Sequence, residues 1–185
     1  MGPRIHITGA AGAGVSTLGR ALAARTGAAH LDTDEFYWLP SDPPYKDKRP
    51  APERLRLLHE AFAAAPNGWI LSGAIGGWGL PLVPLFGLVV FVLTPTEVRL
   101  ERLAAREQAR FGAEACAPGG AWHADYVGFL DWAARYETHE TEGRSRARHE
   151  AWLKTLPRPV VRVDGARPTE EIVEIILAAL DQIDG

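Results

Sequence analysis

The chain alternates short, wholly apolar runs with longer stretches in which apolar residues return every three or four positions. Arg4–Thr8 and Leu88–Leu93 predict strands buried on both faces, and Ala28–Leu31, Trp69–Leu71 and Val160–Val163 predict three shorter ones. Leu18 and Leu22 mark a helix over Leu18–Arg25 that stops near Gly27, and Leu55, Leu58 and Phe62 mark another over Glu53–Ala65. Thr94-Pro95-Thr96-Glu97 reads as an N-cap, a first-turn proline and a capping-box glutamate, opening a helix that runs to about Phe111. Asp125–Thr138, about Arg144–Leu156 and an amphipathic Thr169–Ile183 complete the helices. Pro40–Pro52 predicts a loop, and the Gly-rich Gly112–His123 predicts a mobile segment. Strands alternating with helices imply five parallel strands in one sheet with helices on both faces. Ligands of such sheets bind beyond the carboxyl ends of the strands, where the unusual loops of this chain also leave.

Composition narrows the class without naming a chemistry. With 185 residues, 46% hydrophobic and 23% charged, the chain reads as one globular domain over 1–185, with a mobile lid segment at about 111–125. A net charge of −3 gives no general attraction to nucleic acid, and no apolar run is long enough to span a bilayer. The single cysteine, Cys116, excludes an internal disulfide and suits a reducing cytoplasm. Arg4 leads straight into a strand, so no signal peptide is expected. The sequence assigns no oligomeric state.

The strongest chemical signal follows the first strand. Gly9-Ala10-Ala11-Gly12-Ala13-Gly14-Val15-Ser16-Thr17 has the spacing of a phosphate-cradling P-loop, in which small residues let backbone N–H groups close around phosphate oxygens. A close-packed Gly/Ala turn is the bland alternative, but the run follows a strand and opens a helix, as the motif requires. Ser16 is the expected Mg²⁺ ligand, and Thr17 covers the next phosphate inward. Val15 stands where such loops carry a lysine. Asp32-Thr33-Asp34 ends the second strand, where alternate residues project to one side, so one carboxylate is expected near the metal and the other near an attacking hydroxyl. A turn or helix cap is the structural alternative for the pair. Arg99, Arg102, Arg106 and Arg110 share one helical face, where like charges repel. With Arg144, Arg146 and Arg148 they flank the lid, as phosphoryl transfer requires. These arginines are the natural replacements for the lysine, ahead of Lys46, Lys48 and Arg20. Trp38 and Trp78 lie on strand-end loops. His6 and His30 read as core histidines, and no histidine spacing suggests zinc.

Taken together, these motifs resemble the P-loop kinases of small molecules and nucleotides, a group that includes adenylate, shikimate and gluconate kinases. The likeness extends over nearly the whole chain. Asp32-Thr33-Asp34 is similar to the D-x-D of shikimate kinases, Gly73–Gly79 resembles their glycine-rich substrate loop, and Thr94–Arg106 resembles the helix that enters their lid. Val161–Pro168 resembles the adenine-contacting loop of adenylate kinase. His30–Trp38 with Lys48-Arg49-Pro50 resembles topology-modulation proteins of the same superfamily. Two positions depart from the pattern, Val15 and Ser72, the latter where several relatives have Asp.

The resemblance implies a three-layer P-loop NTPase fold with a small lid. It also implies ATP on Gly9–Thr17 with Gly165 and Arg167, and Mg²⁺ on Ser16 and Asp32. Asp34 then orients or deprotonates the acceptor, while Arg106, Arg110, Arg146 and Arg148 stabilise the moving phosphoryl. The acceptor is a nucleotide or a small hydroxylated metabolite; membrane and nucleic acid are not expected partners. The alternative is a nucleotide-binding regulator of the topology-modulation type, weakened in catalysis by the loss of the lysine.

Overall fold

A computed structural model describes residues 2–42, 44–138 and 143–184. Five strands, β1 (Arg4–Gly9), β2 (Ala29–Asp32), β3 (Trp69–Ser72), β4 (Leu88–Leu93) and β5 (Val160–Asp164), form one sheet in the order β2-β3-β1-β4-β5. All four ladders are parallel. β1 lies in the middle, Ile5 opposite Ile70 of β3 on one side and Leu88 of β4 on the other. Every residue of β1 after Arg4 is buried, which is why the run shows no polar alternation.

Among the described residues, eight α-helices connect and cover the strands: α1 (Val15–Thr26), α2 (Thr33–Tyr37), α3 (Ala51–Ala63), α4 (Thr96–Phe111), α5 (Ala113–Cys116), α6 (His123–Ala134), α7 (Arg146–Lys154) and α8 (Thr169–Asp184). Because successive strand residues point to opposite faces, the sheet divides the core in two. Ile5, Ile7, Val90 and Val92 pack with Leu18 and Leu22 of α1 and Val173 and Ile176 of α8. Leu71, Val89 and Phe91 pack with Leu58 of α3 and Leu153 of α7. The three layers and the five parallel strands are those expected from the sequence.

Five local features differ from expectation. α1 begins at Val15, so the end of the Gly/Ala loop is already the first helical turn. Thr33–Tyr37 is a short helix, and a 3₁₀ run at Gly77–Leu85, interrupted by Pro81 and Pro84, follows the third strand. Residues 112–122 include α5: Cys116 is buried, Phe111 stacks on Trp122 at 4.1 Å between ring centroids, and the ring Nδ1 of His123 lies 2.9 Å from the Cys116 carbonyl. Thr94 does not cap α4. Pro95 holds the cap position, and the Thr94 hydroxyl is engaged elsewhere.

His6 is the polar exception in the second core. Its Nδ1 lies 3.0 Å from the Leu71 carbonyl, its ring stacks on Phe86, and its Nε2 is buried without a partner. His149 of α7 shares that face, its Nδ1 2.8 Å from the Tyr136 hydroxyl and its ring edge-on to Phe91. Burial lowers the pKa of each from 6.5 to about 4. The unfolded chain therefore binds these protons first, so stability is full above pH 6.5 and declines as pH falls toward 4. The His6 contribution is on the order of 3 kcal/mol. Urea denaturation at pH 7, 5 and 4 is expected to show this decline, with a shallower slope for His6→Phe. An unchanged slope in that variant contradicts the assignment.

Candidate active site

The loop between β1 and α1 owes its shape to two left-handed glycines, Gly12 (φ 78°) and Gly14 (φ 94°), a conformation that side chains resist. Its outer side is pinned from behind. Arg99 donates through Nη1 to the Ala11 carbonyl at 3.2 Å, and the Thr94 hydroxyl donates to the Ala13 carbonyl at 3.1 Å. Across a trans peptide the following N–H points the opposite way, so those of Gly12 and Gly14 turn toward the concave side. Gly14 caps α1 with no side-chain hydrogen bond, leaving the first-turn N–H groups of that helix for an anion. The pinning also demands small residues. A Cβ on Gly12 would stand 2.6 Å from the Arg99 carbonyl, and one on Gly165 would stand 2.1 Å from the Thr94 hydroxyl.

Beside this cradle the Ser16 hydroxyl donates to Asp32 Oδ2 at 2.5 Å. Asp32 ends β2, and its Oδ1 accepts from the Asp34 N–H at 3.1 Å, capping α2. The two carboxylates thus come together because the chain turns into a helix, and not by strand alternation. The capping role and the placement at the strand end coexist in Asp32. Asp34 is exposed in the first turn of α2. The surrounding protein and then the Asp32 charge raise its pKa above the ordinary 3.8, while Arg144, Arg106 and a hydrogen bond with Trp38 oppose the rise. Below Asp32, His30 Nε2 lies 2.8 Å from the hydroxyl of Ser72, the strand neighbour of Asp32. Ser16 and Asp32 offer hard oxygen donors that suit Mg²⁺, an ion that keeps several waters of its own. No cluster of three or more His, Cys, Asp or Glu side chains occurs among the described residues.

The arginines divide by depth. Arg99 is fully buried and donates to the carbonyls of Thr94, Ala11 and Ala133 and to the Thr96 hydroxyl, so its donors are spent on building the site. Arg102 donates to the Gly165 carbonyl at 3.1 Å at the rim of the loop. Arg106 pairs with Glu107 at 3.4 Å and bears on Asp34, whereas Arg110 donates to the Tyr45 hydroxyl at 2.9 Å, with its guanidinium over that ring. In the second cluster it is Arg144 that acts on Asp34. Arg146 instead pairs with Glu137 at 3.2 Å beside a cavity of about 510 Å³ at the ends of β4 and β5, and Arg148 is exposed on α7. The physical reason is the helix start: Ser145 caps α7, so Arg144 precedes the helix and turns the other way. Gly165 is buried against the loop, while Arg167 is exposed and pairs with Glu171 at 3.3 Å. Arg54 was not singled out by the sequence. It is buried, with its guanidinium 3.8 Å from the Tyr37 ring centroid and 5.3 Å from that of Trp78, and only its helical spacing from Leu58 hinted at burial.

Residues 5–114 match the family described as AAA domain. The chain belongs to that family. The chain is similar to the uncharacterized protein YqaC of Bacillus subtilis (strain 168), with 44% identity over 177 residues covering 96% of this chain and 97% of that one. Among solved structures, this AAA-domain protein is similar to a gluconokinase from Sinorhizobium meliloti 1021 (TM-score 0.55, 19% identity, 98% of this chain and 93% of that one). It is similar also to a shikimate kinase from Aquifex aeolicus (TM-score 0.53, 20% identity, 97% and 96%). The fold is therefore that of P-loop kinases. No helix among the described residues is long and apolar enough to cross a membrane.

Because Arg99 is buried and satisfies three carbonyls at once, its replacement leaves acceptors stranded. Arg99→Met is expected to lose roughly 3–5 kcal/mol of stability in urea titration. Arg99→Lys, which keeps the charge but not the fork, is expected to recover only part of this. Full stability of either variant contradicts the role assigned to Arg99.

Proposed function

We propose that the protein is an ATP-dependent phosphotransferase whose acceptor is a nucleotide or a small hydroxylated metabolite, the latter favoured by a carboxylate, Asp34, beside the phosphate site. The observation that carries this reading is the Ser16–Asp32 contact of 2.5 Å at the mouth of the glycine cradle, with Asp34 beside it. The amides of Gly12 to Thr17 bind the phosphates, and Gly165 and Arg167 lie on the loop assigned to adenine. Ser16 and Asp32 would hold Mg²⁺, which would neutralise phosphate charge there. Asp34 accepts the hydroxyl proton as the acceptor oxygen attacks the γ-phosphorus. That O–P bond forms as the bond from the γ-phosphorus to the bridging oxygen breaks, and ADP leaves with the electron pair. Arg144 and Arg106, the cations that bear on Asp34, orient the acceptor and offset the charge of the moving phosphoryl. Arg110, Arg146 and Arg148 are at most peripheral to this step.

A regulator that binds nucleotide without transfer is the second reading, favoured by Val15, whose side chain packs against the first core cluster. Single-turnover transfer from γ-labelled Mg-ATP to panels of nucleoside monophosphates and small hydroxylated acids separates the two. Label is expected on an acceptor, slowed by about 10²–10⁴-fold in Asp34→Asn. The acid limb of the wild-type rate profile is expected above the ordinary aspartate value of 3.8 and absent from the variant, since the base must be ionised and its pKa is raised. Tight ATP binding with no labelled product contradicts transfer and supports the regulator.

A further inference from the structure

We infer that Arg102 supplies, at the β- and γ-phosphates, the cation that the loop lacks at Val15. The inference rests on the reading that the loop binds ATP.

The loop cannot recruit this charge from its own sequence position. Val15 Cγ1 lies 3.2 Å from where a Cβ on Gly9 would stand, and the side chain packs against the cluster of Leu18, Leu22 and Val92. Position 15 is thus turned into the core, and a cation has to arrive from another element.

Arg102 is the cation that reaches the loop itself. Its Nη1 lies 3.6 Å from the Cβ position of Gly14, the left-handed residue at the start of α1, the one contact within 4 Å of that point from outside Gly14 and its chain neighbours among the described residues. The guanidinium therefore sits at the rim of the concavity into which the N–H groups of the loop open. Its backbone is held firmly, since Arg99 and Leu103 on either side are buried. Its anchor is the Gly165 carbonyl, a neutral acceptor that orients the guanidinium without cancelling its charge. Arg102 forms no ion pair among the described residues, and an arginine offers five N–H donors, only one of which this anchor uses.

The other arginines of the two clusters that the structure ties down serve other places: Arg99 is spent on backbone carbonyls, Arg146 pairs with Glu137, Arg110 lies on Tyr45, and Arg106 pairs with Glu107 and bears on Asp34. Arg144 faces Asp34, on the acceptor side. Lys46 lies 4.0 Å from Asp125 and over Trp122.

Calorimetric binding of Mg-ATP, Mg-tripolyphosphate and AMP to the full chain tests this. Arg102→Gln removes the charge and the guanidinium fork and leaves a shorter, neutral side chain with an amide donor. It is expected to weaken ATP and tripolyphosphate by about 10- to 100-fold and to change AMP by less than about twofold, AMP binding also reporting that the variant is folded. Arg102→Lys is expected to retain most of the preference for ATP over AMP, and Val15→Lys placed on Arg102→Gln to restore part of it. If Arg102→Gln weakens AMP and ATP by the same factor, the guanidinium serves the base and the inference falls. Unchanged ATP affinity in that variant overturns it too, while the loop keeps its proposed role. Failure of the wild-type chain to bind ATP or tripolyphosphate overturns both together.

Discussion

The structure depends on a buried arginine holding the back of a glycine loop. Arg99 sits at the start of α4 with no exposed surface, and its guanidinium bonds the Ala11 carbonyl, the Thr94 carbonyl and the end of α6 at Ala133. A charge removed from water is tolerable only when its donors are satisfied, so these partners fix one another in place. Thr94 adds a second tie at Ala13, and the tight fit of Gly12 and Gly165 leaves the loop little room to relax. With its carbonyls held outward, the loop presents amides inward, and the N-terminus of α1 continues the same positive surface. One element, α4, therefore shapes the cradle through Arg99, edges it with Arg102 and bears on Asp34 through Arg106.

This arrangement changes what the missing lysine means. In a loop whose position 15 packs into the apolar core, a lysine there would have to leave that packing to reach a phosphate. The same α4 that fixes the loop brings Arg102 to its rim. On the proposed reading, binding and charge neutralisation are divided between two segments, and the geometry of one constrains the other. The AAA-domain family assignment and the likeness to kinase folds are compatible with this division, and neither bears on position 15.

The strands and the glycine loop were legible because their signals are local. Leu88–Leu93 is apolar throughout because helices cover both its faces, and Gly9–Gly14 is small because backbone and the Arg99 carbonyl press against it. What escaped was tertiary. Thr94 fits a capping box in sequence, yet its hydroxyl serves a carbonyl 81 residues away. The arginines of α4 look alike in sequence, but successive turns meet different neighbours, so they are a core strut, a rim cation, a partner of Glu107 and a partner of Tyr45. Arg144, Arg146 and Arg148 look equivalent as a cluster, and only the Ser145 cap sends the first toward Asp34. Asp32 and Asp34 were brought together as expected, by a helical turn that the short Thr33–Tyr37 pattern does not announce.

The central claim is that the amides of a clamped loop, with no lysine of their own, form the polyphosphate site. Amide NMR of the full chain during titration with Mg-ATP addresses it residue by residue. The account predicts the largest shifts, downfield, at Gly12, Gly14, Val15, Ser16 and Thr17, saturating together. Saturable shifts centred on the cavity at the ends of β4 and β5, with the loop amides unmoved, would contradict it.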